Sequence, residues 1–297
     1  MTTTKFTGTL TAMVTPMANG KVAWDDLERL TEHQIKQGIN GLVAVGTTGE
    51  SPTLRTSEHL DVIRFMVEKS AGRVPVLAGT GSNSTDEAIS LTKAADQAGA
   101  DGFLVVGPYY NKPSPAGMLA HFSALAEVSK KPFVLYSIPS RCGVAIEVET
   151  VSRLREKYPQ VNHIKEAGGT CARVDELRQN LGDDMVILSG DDALTLPFLS
   201  LGAEGVISVA SNILVKPLVE MVELARQNDF HAARKIHESY LPLFQALFME
   251  SNPGPVKAAA RMLGLISSSD LRLPLAPVSK ETEGYLENLL RELNLLT

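Results

Sequence analysis

Eight short apolar runs recur along the chain, and their rhythm limits the possible folds more than any other feature. They are "TLTAMVTP" from Thr9, "GLVAVG" from Gly41, "PVLAG" from Pro75, "GFLVVG" from Gly102, "PFVLYSI" from Pro132, "VNHIKEA" from Val161, "MVILSG" from Met185 and "GVISVA" from Gly205. Each is too short for a helix, and most are rich in Val, Ile and Leu and end at Gly or Pro, as strands buried on both faces do. Between them lie amphipathic stretches such as "AWDDLERLTEHQIKQ" and "TSEHLDVIRFMVEKS", with apolar residues at helical spacing and acids near their starts. Strict alternation predicts parallel β/α units, and eight of them predict an α/β fold closed into a (β/α)8 TIM barrel. A doubly wound open sheet is the competing architecture, but no GxGxxG follows the first run. Beyond residue 225 the pattern is purely helical, in "DFHAARKIHESYLPLFQALFM", "NPGPVKAAARMLG" and "ETEGYLENLLRELNLL". The expected organisation is a catalytic barrel over residues 1–224 followed by a C-terminal helical extension over 225–297.

Composition narrows the function. A net charge of −6 lacks the basic footprint of a nucleic-acid binder, so anionic substrates would need a local cationic site. Cys142 and Cys171 are the only cysteines, which offers neither a disulfide framework nor a zinc cluster. The opening "MTTTKFTGTL" has no charged segment leading into an apolar one, and no apolar run reaches the roughly 18 residues of a membrane span. A soluble cytoplasmic protein, without membrane or nucleic-acid partners, is expected.

Barrels of this kind carry their chemistry at the C-terminal ends of the strands, so position in sequence becomes position in space. Those ends hold Thr47, Thr48 and Glu50 after the second run, Tyr109 and Tyr110 after the fourth, and Tyr136 with Arg141 after the fifth. Lys165 closes the sixth, and Gly190, Asp191 and Asp192 close the seventh. A lysine set among barrel walls loses hydration, which favours its neutral amine. A neutral amine attacks carbonyls, and the resulting imine withdraws electrons so that the adjacent carbon can become a nucleophilic enamine. Tyrosine and threonine hydroxyls near it can move the protons. Arg141, in a turn between Pro139 and Gly143, presents a fork suited to a carboxylate. The Asp191–Asp192 pair invites a metal, yet no third ligand is spaced to join it, and a helix N-cap is the expected role. His163 points to the same side as Lys165, one layer deeper, and reads as a neutral core histidine.

"GTTGES" from Gly46, "YY" at 109 and 110, "YSIPSRCG" from Tyr136, "IKEAGG" from Ile164, "SGDD" from Ser189 and "GVISV" from Gly205 resemble the pyruvate-dependent class I aldolase family of dihydrodipicolinate synthase and N-acetylneuraminate lyase. The likeness extends to "NPGPVK" and "LRLPLAP", and the Arg of "PSRCG" with the paired tyrosines is closer to the first branch than to the second. The resemblance implies that Lys165 forms an imine with pyruvate, with no other cofactor, and that Tyr136 moves protons. It implies a relay in which Thr47 links Tyr136 to Tyr110 of a neighbouring subunit in a homotetramer, a dimer of tight dimers. Thr48 and the Ile207 backbone would hold the pyruvate carboxylate beside Gly190, and Arg141 that of L-aspartate 4-semialdehyde. The positions matching an L-lysine inhibitor cleft are Ser51, Leu54, His59, Asn83, Glu87 and Tyr109. Ser137 and Cys142 stand where many members have Asn and Thr, His163 where many have a smaller residue, and Thr56 where some lysine-sensitive members have His. The rival readings are another pyruvate aldolase or lyase acting on a sugar acid, and a catalytically silent sensor of keto or amino acids.

Overall fold

The computed structural model describes residues 6–296; the first five residues, which enter the reading of the N-terminal segment, lie outside it. Eight parallel strands close into a barrel: β1 (Gly8–Ala12), β2 (Gly41–Ala44), β3 (Val76–Gly79), β4 (Gly102–Val106), β5 (Phe133–Ser137), β6 (Val161–Glu166), β7 (Val186–Ser189) and β8 (Gly205–Ser208). All eight expected runs are strands. Closure comes from β1, which pairs with β2 through Leu10↔Gly41 and with β8 through Gly8↔Gly205. The seam is glycine on both sides for a steric reason, since a Cβ on Gly205 would lie 2.0 Å from the Gly8 carbonyl oxygen.

Inside the barrel, Leu10, Val43, Leu77, Leu104, Val134, Leu188 and Ile207 pack into one apolar cluster that includes Tyr136. Phe6 seals its N-terminal end, where the backbone N–H of Phe6 donates to His163 Nε2 at 3.0 Å. A ring nitrogen that accepts carries no proton, so His163 is the neutral, satisfied core histidine the sequence predicts.

Outside run α1 (Trp24–Lys36), α2 (Thr56–Ser70), α3 (Thr85–Gln97), α4 (Pro115–Ala126), α5 (Val148–Lys157), α6 (Cys171–Leu181), α7 (Thr195–Ser200) and α8 (Val215–Arg226). Ser84 and Ser114 cap α3 and α4 by accepting from the backbone N–H groups of Glu87 and Gly117. Three further helices follow, α9 (Phe230–Ala246), α10 (Gly254–Met262) and α11 (Lys280–Glu292). Their buried Leu243, Phe244, Val256, Leu286 and Leu290 belong to the same hydrophobic core that lies between the barrel and its helices. Among the described residues no helix is long and apolar enough to cross a membrane.

Candidate active site

Lys165 and Tyr136 stand side by side in the β5–β6 register, so both side chains enter the barrel mouth at one level. Lys165 is 5% exposed, and its Nζ lies 4.1 Å from the centroid of the Tyr136 ring. Burial brings the Lys165 amine down to about 7; the positive charge of Arg141 pushes the same way, and Asp192 opposes. At pH 7.4 roughly 70% of such an amine is neutral, against about 0.1% for a lysine in water. Gly190 gives the side chain its passage, because a Cβ there would lie 3.0 Å from Lys165 Cε and 2.7 Å from the Ala167 Cβ.

Burial drives the Tyr136 phenol the other way, up to about 12, with Arg141 and a hydrogen bond from Thr47 opposing. Tyr136 is therefore an O–H group throughout the neutral range, able to donate one proton while accepting another. Thr47 and Tyr136 line one small cavity with Leu104 and Val106. Arg141 lies on a one-turn helix, Pro139–Cys142, and its Nη2 donates to the Asn252 carbonyl at 3.4 Å. Cys142 beneath it is buried, its thiol pushed up to about 11 by burial while donating to the Gly107 carbonyl. It serves as packing rather than as a nucleophile. Ser137 carries its turn from below, its Oγ accepting from Ile146 N at 3.4 Å.

Asn252 carries no role in the sequence reading. From the turn before α10 its Nδ2 donates to Thr48 Oγ1 at 3.1 Å, so one residue touches both Thr48 and Arg141. The local signal is the "NPGP" that fixes this turn. Glu50 goes the opposite way: expected at the mouth, it turns in the left-handed region (φ 57°) and is buried in an ion pair with the equally buried Lys257. Lys257 also donates to the Asp270 carbonyl at 2.7 Å, and Glu50 accepts from Arg272 N at 3.1 Å. The loop carrying Thr47 and Thr48 is thus clamped from behind by α10 and the segment that follows it. The expected helix N-cap is not found: Leu194 is the N-cap of α7 and no side chain caps it, while Asp191 Oδ1 accepts from Ala193 and Leu194 N–H and so braces the turn before that helix, and Asp192 reaches across to the turn after β8. Among the described residues no group of acids, histidines and cysteines is arranged to hold a metal.

A partly neutral amine, an undissociated phenol, a threonine hydroxyl beside it and a guanidinium at one barrel mouth are the parts of imine-forming carbonyl chemistry. Residues 5–293 match the model of the Dihydrodipicolinate synthetase family. The chain belongs to that family. It is 48% identical over 291 residues to the 4-hydroxy-tetrahydrodipicolinate synthase of Persephonella marina, covering 98% of this chain and 99% of that one. Among solved structures it is similar to the Acinetobacter baumannii dihydrodipicolinate synthase complexed with pyruvate (42% identity, TM-score 0.96, 98% and 100% covered). It is similar also to the Cyanidioschyzon merolae enzyme with lysine bound (40% identity, TM-score 0.95, 98% and 99% covered).

Two expected features lie away from Lys165. Tyr110 is 89% exposed and held at φ 72°, a conformation costly for a bulky side chain, so within one chain it stands clear of Tyr136 and Thr47. Ser51, Leu54, His59, Glu87 and Tyr109 line a second cleft of about 150 Å³ together with Pro52, Thr56 and Ser82, and it adjoins the cavity at Thr47 and Tyr136, with which it shares Ser51 and Gly81. Asn83 is not in its wall, and its carbonyl accepts from Asn111 Nδ2. Glu87 is both a first-turn acid of α3 and the acceptor of a short hydrogen bond from the Ser82 hydroxyl.

Proposed function

We propose that this chain condenses pyruvate with L-aspartate 4-semialdehyde to 4-hydroxy-tetrahydrodipicolinate, on the diaminopimelate route to lysine, through an imine on Lys165. The observation that carries the reading is the buried Lys165 amine, brought down to about 7 beside an undissociated Tyr136. The amine attacks C2 of pyruvate, and the carbinolamine loses water to give an iminium. Loss of a C3 proton makes the enamine, whose carbon attacks the aldehyde of the second substrate. The amino group of that substrate then displaces Lys165 from C2 and closes the ring, so one water is released in all. The iminium is the electron sink, which is why no metal or organic cofactor enters the scheme.

In this scheme Tyr136 moves protons at the carbinolamine and the aldehyde, with Thr47 linking it to Tyr110 of a neighbouring subunit. The exposure and strained backbone of Tyr110 support that assignment, and with it a dimer of tight dimers. Thr48 and the Ile207 backbone hold the pyruvate carboxylate, Gly190 keeps the approach open, and Arg141 takes the second carboxylate. Arg141 favours the semialdehyde over a sugar acid as the second substrate. A cytoplasmic setting fits these substrates. Incubation with pyruvate and borohydride, followed by mass spectrometry, tests the core of the reading. A reduced pyruvyl adduct is expected on Lys165 and absent from Lys165→Arg; an adduct on Lys112 or Lys257 instead would refute it.

The second cleft supports L-lysine as a regulatory ligand, with Glu87 facing the α-ammonium group. Initial rates should fall at millimolar L-lysine and lose that sensitivity in Glu87→Ala.

A further inference from the structure

Asp192 is 1% exposed, and only half of its carboxylate is used by the fold. Oδ2 accepts from the backbone N–H groups of Val209 and Ala210, at 3.0 and 2.9 Å, and so fixes the turn that follows β8. Oδ1 is fully buried with no hydrogen-bond partner. A native protein leaves such an acceptor unpaired only rarely, and the exceptions call for an explanation.

The explanation lies in the charges around Lys165. Arg141 is positive, and Tyr136 is an undissociated phenol. His163, one layer down, is neutral because its Nε2 accepts from Phe6 N–H. Glu166, next in the strand, is turned to Gly168 N–H and Arg173. Asp191 spends its carboxylate on the N–H groups of Ala193 and Leu194. Asp192 follows two residues after Gly190, whose ideal Cβ would lie 3.0 Å from Lys165 Cε, and it is the negative group that acts on the Lys165 amine. The reaction places a full positive charge on that nitrogen when the carbinolamine loses water, in a site with little solvent to screen it.

We propose that Asp192 is a positioning residue for the imine chemistry, its free carboxylate oxygen serving as a fixed counter-charge to the iminium formed on Lys165. The inference rests on the reading of Lys165 as the imine-forming residue. Pyruvate brings a carboxylate of its own, but only after binding; Asp192 is in place beforehand. It makes no hydrogen bond to the amine, and so it does not hold Lys165 in the protonated form that cannot attack. Burial raises the Asp192 carboxyl above its ordinary value, with the Asp191 charge adding to the rise; the Ser208 hydroxyl and the two backbone N–H groups work against it and toward the anion that the counter-charge requires.

Asp192→Asn is the discriminating variant, because an amide oxygen can still accept from Val209 and Ala210 while the charge is gone. Pyruvate-dependent borohydride labelling of Lys165, followed by mass spectrometry from about pH 5 to pH 9, reads both consequences. The half-saturating pyruvate concentration should rise about tenfold, and the pH midpoint of labelling should move about one unit to the acid side. Both quantities unchanged in Asp192→Asn, with Asp192→Ala impaired, would make Asp192 a structural bracket and overturn the inference. Should the asparagine form not fold, Ser208→Ala removes a hydroxyl that favours the anion. It should move both quantities the same way, by about threefold in pyruvate, and no movement would overturn the inference. Failure to trap the parent protein would overturn the reading of Lys165 and this inference with it; a trapped parent with an unaltered asparagine variant overturns this inference alone.

Discussion

Replacing Lys257 with methionine removes a charge from a place water does not reach. Both side chains of the Lys257–Glu50 pair are 0% exposed. Burial pushes the Lys257 ammonium down, while the Glu50 charge and hydrogen bond hold it up. In Lys257→Met the Glu50 carboxylate keeps the Arg272 N–H but loses its counter-ion. Breaking a buried pair from one side is expected to cost about 3–5 kcal/mol, far more than the pair itself contributes over an apolar replacement. At about 2–4 °C per kcal/mol, the thermal midpoint should fall by about 6 to 20 °C. The double variant Glu50→Gln/Lys257→Met removes both charges and should recover much of the loss. Thermal unfolding of the four proteins at one fixed protein concentration closes the cycle. A loss below about 1 kcal/mol in Lys257→Met, or a double variant no better than the sum of the singles, would refute the reasoning.

The amine at about 7 predicts that pyruvate-dependent labelling of Lys165 falls about tenfold per pH unit below that value and levels off above it, since only the neutral amine attacks. A midpoint near the ordinary lysine value would show Lys165 to be solvated. Gly190→Ala should slow labelling on the order of 10²-fold with the far-ultraviolet circular dichroism unchanged, because the added methyl meets both Ala167 and Lys165. Parent-like labelling would show that the lysine has a second route to the mouth. Mixed Tyr110→Phe and Lys165→Ala subunits, each inactive alone, should regain part of the activity, because a hybrid pair holds one intact site; no recovery despite proven subunit exchange would place Tyr110 in its own subunit's site.

The barrel was legible in the sequence because every strand is a short buried run and every run alternates with an amphipathic helix. Once strand ends are known, the rule that chemistry gathers there brings Lys165 beside Tyr136, as the register has it. The same rule misdirects Glu50, which sits in the right loop but is turned under it by a left-handed backbone no periodicity announces. Asn252 was out of reach for a different reason. It meets Thr48 across 204 residues, and a contact of that kind leaves no local pattern in either segment. In "GDD" the aspartates look alike, and only the fold separates the one that braces its own turn from the buried one that reaches across to the turn after β8.

The clamp on the loop carrying Thr47 and Thr48 also sets an order in time. Glu50 leaves the ribosome 207 residues ahead of Lys257, a delay of roughly 10 to 40 s at ordinary rates of synthesis. Throughout that interval the loop carrying Thr47 and Thr48 has its acid and lacks the base that seats it. The seat of that loop is completed from the last quarter of the chain, so a nascent barrel cannot close it until Lys257 has been made.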